Sequence, residues 1–207
     1  MKYETVAEAY RDLEAATGRL ALVDRLAELI RATPDEELAR VCYLCQGLIA
    51  PEFAGIDLGL AEKMAIRAVA SAVGNEPDAV TAAVRTQGDL GEAAEALLPD
   101  HAPSLTVDQV VDTLYEIAAA GGTGSQGRKL ELLSGLLGRA TPLEARYVLR
   151  LVTGNLRLGI GTPTILDALV RVHAGGKADR PVLERAYNIC SDLGVVAETL
   201  ARGGLPA

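Results

Sequence analysis

Two stretches decide how this chain reads: "RATPDEELARVCYLCQG" (Arg31–Gly47) and "RATPLEARYVLRLVTG" (Arg139–Gly154). Each opens on Thr-Pro, carries a Glu three residues after the Thr (Glu36, Glu144), and runs through an apolar stripe to a glycine. Thr as N-cap, Pro in the first turn, Glu closing a capping box and Gly as a left-handed C-terminal cap spell a helix from start to stop. The stripes are Leu38, Val41, Cys42 and Cys45 in the first and Ala145, Val148, Leu149 and Val152 in the second. Both follow the i, i+3, i+4, i+7 spacing of a buried helix face. That periodicity places both thiols of Cys42-x-x-Cys45 in the core. A second cysteine pair is missing and neither His101 nor His173 has ligand spacing, so no metal site is expected.

The match extends outward. Upstream, "TGRLALVDRLAELI" answers "SQGRKLELLSGLLG", with Thr17 and Ser125 as expected caps. Downstream, loops reach Leu58-Gly59 and Leu158-Gly159 before an apolar helix, and "GDLGEAAEALL" answers "SDLGVVAETLA". Asp89 and Asp192 are placed to cap the last helix of each copy, accepting from its free N–H groups. Four landmarks in one order predict an internal duplication, 17–98 and 125–201. The join contains a further helix from Thr106, with Gln109 completing a capping box. The expectation is an all-α fold of about twelve helices, residues 1–207 forming a single domain of two pseudo-two-fold related halves. The period is too long and the copies too few for a solenoid.

Composition agrees. Hydrophobic residues make up 49% and aromatics only 3%, with no Trp and one Phe, Phe53. An Ala/Leu-based apolar set favours helices, where such side chains lose little entropy. No apolar run approaches the ~20 residues of a membrane span, and the acidic N-terminus has no signal core. A cytoplasmic, nucleoid-associated protein without a membrane partner is expected. Net charge is −8, yet residues 1–100 hold 9 basic and 18 acidic side chains, while 121–188 hold 10 basic and 5 acidic. The second half is therefore expected to present a basic surface.

No catalytic constellation assembles: nucleophile, base and orienter are nowhere combined, and Asp35, Glu36 and Glu37 suit the first turn of a helix. "GGTGSQGRK" (Gly121–Lys129) spaces its glycines like a phosphate loop, but Arg128-Lys129 stand where Lys and Ser/Thr are needed, and a helix precedes it. Two readings of it stay open, an anion site built on Ser125, Arg128 and Lys129 at a helix start and a linker with a solvated basic pair. "GNLRLGIGTPT" (Gly154–Thr164) has three glycines, Arg157, and Thr162 at a helix start. It fits close backbone approach to a ligand or a plain helix–helix turn.

With these landmarks laid out, the chain resembles the N-terminal DNA-binding domain of ATP-dependent DNA ligases of the archaeal, actinobacterial and eukaryotic replicative type. The residues that carry the likeness are "YLCQGLIAPEFAGIDLGLAEKMAIRA", "GDLGEAAE", "GTGSQGRKLELLSGLLGRATPLEARYVLRLVTGNLRLGIGTPTILDAL" and "AYNICSDLGVVA", from about Tyr10 to Ala201. "GNLRLGIG" and "SDLG" are the most specific. The resemblance implies an all-helical domain that binds nicked duplex DNA through the minor groove and phosphates, without reading sequence, in DNA replication, repair and recombination. Two like halves suit the two-fold relation of the strands, and phosphate contacts give affinity without sequence information.

By the same resemblance, DNA contact falls on Ser125, Arg128, Lys129, Gly154, Asn155, Leu156, Arg157, Gly159, Gly161 and Thr162. It falls more weakly on Thr17, Arg19, Gly47, Gly59 and Lys63, where no arginine matches Arg157. The family's adenylated lysine lies in K-x-D-G, which this chain lacks; "KADR" (Lys177–Arg180) comes nearest but has no Gly. No catalytic residue is therefore expected here. ATP and magnesium are implied for the parent ligase, and its adenylation and oligonucleotide-binding domains are expected to follow residue 207. A sliding clamp is a further candidate partner. Two alternatives remain beside this reading: an acidic module that docks a protein partner, and a free-standing helical enzyme.

Overall fold

The computed structural model describes residues 1–58 and 60–204. It is all-α: twelve α-helices and three short 3-10 turns, with no strand among the described residues. The helices are α1 (Tyr3–Ala15), α2 (Arg19–Ala32), α3 (Leu38–Cys45), α4 (Glu62–Val73), α5 (Pro77–Gln87) and α6 (Leu90–Leu97). They continue with α7 (Val107–Ala119), α8 (Ser125–Leu137), α9 (Pro142–Val152), α10 (Thr162–His173), α11 (Arg180–Cys190) and α12 (Leu193–Gly203). No helix among the described residues is long and apolar enough to cross a membrane.

The caps show which local signals decide helix ends. Thr141 accepts from Glu144 N–H at 3.1 Å while the Glu144 carboxylate accepts from Thr141 N–H at 2.9 Å, the expected reciprocal box. Thr106 and Gln109 form the same pair on α7. Asp89 and Asp192 cap α6 and α12 through Glu92 N–H and Val195 N–H. Gly47 and Gly154 lie just past α3 and α9 at φ 75° and 69°, the left-handed conformation glycine adopts without strain.

Three expected caps are corrected. Thr33 does not cap α3: it is buried, and its hydroxyl donates to the Leu29 carbonyl at 2.8 Å, back into α2. A 3-10 turn, Asp35–Glu37, follows before α3 begins at Leu38. Thr17 and Ser125 also fail as caps. The N-cap positions of α2 and α8 are Gly18 and Gly124, at φ 89° and 84°, and Ser125 is already helical. "KADR" lies between α10 and α11, as a 3-10 turn that leads into α11.

Two compact units share the chain, and neither coincides with 17–98 or 125–201. One holds Glu8–Ile56 and the segment from Arg157 onward; there α2 packs on α10 and α3 on α12. The other holds Lys2–Ala7 and Asp57–Leu156; there α8 packs on α4 and α9 on α6. The core of the first includes Leu26, Ile30, Leu38, Leu44, Ile165 and Leu169, all buried. That of the second includes Val69, Val80, Leu114, Ile117, Leu133 and Tyr147. Cys42 and Cys45 lie on the buried stripe of α3 as expected, and burial pushes both thiols up, Cys45 to about 12.

The Thr141 cap has a titration consequence. Glu144 is completely buried. Burial, and then the nearby Glu4 carboxylate, raise its pKa above the usual Glu range, against the Thr141 N–H bond that lowers it. Glu4 meanwhile accepts from the Thr141 hydroxyl at 2.6 Å. A carboxyl whose folded-state value is raised adds stability below the unfolded value, and that stability fades as pH rises through the folded value. Glu144→Gln, which keeps a capping-box acceptor, should therefore match the parent at pH 4 and exceed it at pH 7. Urea denaturation across that range reads the crossover. Glu144→Ala should instead lose about 1 kcal/mol of cap at both ends.

Candidate nucleic-acid interface

The unit with α4 and α8 gathers one set of the candidate residues. Ser125, Arg128 and Lys129 share a face of α8 at i, i+3, i+4 spacing. Lys129 Nζ donates to the Leu58 carbonyl at 3.0 Å, tying α8 to the loop that precedes α4. Lys63 is exposed in the first turn of α4. Arg128 is exposed, and its guanidinium pairs with the exposed Glu116 at 3.1 Å, a contact weak enough for a phosphate to displace. Gly154 and Asn155 close α9: their N–H groups donate to the Leu151 and Arg150 carbonyls, Asn155 is exposed, and Leu156 is half-buried. Gly59 lies outside the described residues.

In the unit with α2 and α10, Arg157 is exposed and has no ion-pair partner among the described residues. Gly159 follows at φ 67° and Gly161 is the N-cap of α10, which starts at Thr162 with Pro163 in its first turn. No side chain caps that helix; Pro163 has no N–H and the Thr164 N–H donates to the Gly161 carbonyl at 2.9 Å, which leaves the Thr162 N–H at its start. Gln46 Nε2 donates to the Thr162 hydroxyl at 3.2 Å, so the turn bearing Gly47 is fastened to the start of α10. Sequence reasoning passed over Gln46; its place next to Gly47 was the available signal. Thr17 and Arg19 are exposed at the start of α2, where Arg19 is bound to Asp167 at 2.7 Å.

The broad basic surface expected of the second half is corrected. Of the ten basic residues in 121–188, Arg128, Arg146, Arg150, Arg171 and Arg180 are held in ion pairs. Arg150 pairs with Asp89 and Glu92, and Arg146 with Glu92 and Glu95. Both guanidinium groups also lie over the Tyr147 ring, at 5.9 and 5.5 Å. The acids of α6 thus neutralise charge that the sequence tally assigned to the surface. What stays outward is narrower, and the glycine-rich stretch around Arg157 is its clearest part.

Residues 2–170 match the family model described as DNA ligase N terminus. The chain belongs to the DNA ligase N-terminal family. It is 45% identical over 213 residues to the DNA ligase of Cenarchaeum symbiosum, covering 100% of this chain and 36% of the relative. It is 46% identical over 209 residues to the probable DNA ligase of Aquifex aeolicus, covering 99% and 36%. The DNA ligase of Aeropyrum pernix is 40% identical over 225 residues, with 100% and 37% covered. The chain therefore spans little more than a third of the length of these relatives. The "GDLG" and "SDLG" motifs have a packing role in this family member. Gly91 and Gly194 stand where α6 meets α9 and α12 meets α3, with no room for a side chain.

Proposed function

We propose that this domain binds nicked duplex DNA, independently of sequence, through phosphates and the minor groove, as the N-terminal part of an ATP-dependent DNA ligase. The observation that carries the reading is the Gly154–Thr162 stretch, with Gly154, Asn155, Arg157, Gly159 and Gly161 exposed, in a member of the ligase N-terminal family. Its arginine is unpaired among the described residues, Gly154 and Gly159 are left-handed, and an uncapped helix start follows at the extended Gly161. Glycines let the backbone approach a groove, the helix start offers the Thr162 N–H to a phosphate, and Arg157 supplies the charge. Lys129, bound to a carbonyl that does not neutralise it, adds a second cation.

On this reading the two units are related copies with exchanged parts. The front helices of one copy, α2 and α3, pack on the rear helices of the other, α10 and α12, while α8 and α9 pack on α4 and α6. That pattern supports a duplication with the bounds 17–98 and 125–201. Nick sealing, with its ATP, magnesium and adenylated lysine, belongs to the adenylation and oligonucleotide-binding domains of the longer enzyme, acting in replication, repair and recombination. A sliding clamp would be a partner of that assembly.

Fluorescence anisotropy with a labelled nicked duplex, two helical turns long, tests the reading. Binding should weaken steeply with salt. Arg157→Ala should reduce the salt slope by about 1, and Arg157→Ala with Lys129→Ala should weaken binding about tenfold, roughly 1.4 kcal/mol. Duplex binding that is absent at low salt, or indifferent to both substitutions, would sink it.

A further inference from the structure

A hollow of about 710 Å³ lies in the unit that contains α2, α10 and α11, and of its lining only Arg19 stands among the candidate DNA contacts. Its floor is aliphatic: Val23 and Val170 are buried beneath it, and Leu20, in the first turn of α2, stands 71% exposed at its edge. Its rim carries Arg19, Arg171, Lys177 and Arg180 against one acid, Asp167. Arg171 pairs with Asp24 and Arg180 with Glu184 beside the lining, so its outward positive charge is carried by Lys177, without an ion-pair partner among the described residues, and by the exposed Arg19.

The rim is built and held. Asp167 accepts from Arg19 Nη2 at 2.7 Å and from Arg180 Nε at 2.8 Å, so one carboxylate fixes two guanidinium groups. Arg171 is braced by Asp24. Asp179 accepts from Gly175 N–H at 2.8 Å and shapes the Gly175–Lys177 edge. Lys177 and Arg19 remain exposed.

We propose that this hollow docks an acidic segment of a partner protein, seating an aliphatic or aromatic side chain on Leu20, Val23 and Val170 between carboxylates that meet Lys177 and Arg19. Charge complementarity selects the acidic partner. An apolar group left exposed within a ring of polar residues marks an interaction surface, and an apolar anchor in a pocket is how such surfaces gain affinity. A phosphodiester backbone would meet the cations but has no apolar group to fill the floor. A nucleobase would find no aromatic ring in the lining on which to stack. The inference does not rest on the DNA-binding reading, with which it shares Arg19 alone.

Phage-displayed random peptides selected against the 207-residue chain supply the probe, and the enriched peptides, made with a fluorescent label, are titrated by anisotropy. Enriched sequences should place Leu, Ile or Phe between Asp or Glu. Their binding should fall about tenfold or more in both Leu20→Asp and Lys177→Glu, while melting temperature and nicked-duplex binding stay as in the parent. Selection without an acidic–apolar pattern, or peptides indifferent to both substitutions, would overturn the proposal. So would a Lys177→Glu variant that loses duplex affinity, since the rim would then belong to the DNA surface.

Discussion

Gly194→Ala should destabilise the protein by about 3 kcal/mol, the upper end of what overpacking a core costs. A Cβ at Gly194 would fall 2.3 Å from Tyr43 Cζ and 2.4 Å from its hydroxyl. The ring has nowhere to go. It is buried, and its hydroxyl donates to Asp192 Oδ1 at 2.6 Å, the same oxygen that accepts from Val195 N–H to cap α12. Relief therefore requires α12 to shift off α3 or the Tyr43–Asp192 bond to break, and a buried acceptor left without its partner costs about 1–3 kcal/mol. Gly135→Ala is the matched control. Gly135 is exposed in α8 with nothing near its Cβ position, so alanine there should stabilise by about 0.5–1 kcal/mol through helix propensity. Urea midpoints at constant slope distinguish the two, and a Gly194→Ala midpoint equal to the parent's would refute the tight α3–α12 contact.

Arg150→Ala should cost about 2 kcal/mol at neutral pH. The Arg150 side chain is only 11% exposed and binds Asp89 through two nitrogens, at 3.1 and 2.5 Å, and Glu92 at 3.1 Å. Removing it leaves two carboxylates facing each other on α6. Breaking a fully buried pair costs 3–5 kcal/mol; the acids here are about one-third exposed, and solvent screening lowers the figure. The pH dependence fixes the sign. Burial pushes Asp89 up, but the Arg150 hydrogen bonds and the Glu92 N–H outweigh it and hold the carboxyl below the usual Asp range. A depressed carboxyl contributes stability above its unfolded value and loses it as pH falls through the folded one. The penalty of Arg150→Ala should accordingly shrink below about pH 4, the ordinary Asp value. Arg150→Lys should fall between, because an ammonium cannot make the two-pronged contact. A penalty that is the same at pH 3 and pH 7 would show that Arg150 acts through packing alone.

Helix class and several helix ends were legible in the sequence because their causes are local. Asp89, Asp192, Thr106 and Thr141 each bind an N–H three residues ahead, a distance the chain spans within one turn. Thr33 shows the limit. It shares four letters with the Thr141 site, yet the stretch to the terminal glycine is one residue longer, and the chain takes up the excess as a 3-10 turn. The Thr33 hydroxyl is then nearer to α2 than to α3.

Of the candidate interface, the glycines and Arg157 were readable as residue types suited to a groove, but not the environment of the other cations. The local tally counted Arg146 and Arg150 as surface charge, when the acids that neutralise them lie 51 to 61 residues away on α6. The sequence by itself determined that the chain is helical, where several of its helices begin or end, and which family it belongs to. The tertiary structure alone decided that α2 meets α10 and α8 meets α4, that Tyr43 meets Asp192 across 149 residues, and that Asp89 meets Arg150. An apolar stripe requires a face to be buried without naming what covers it, and only the packed fold brings those distant partners together.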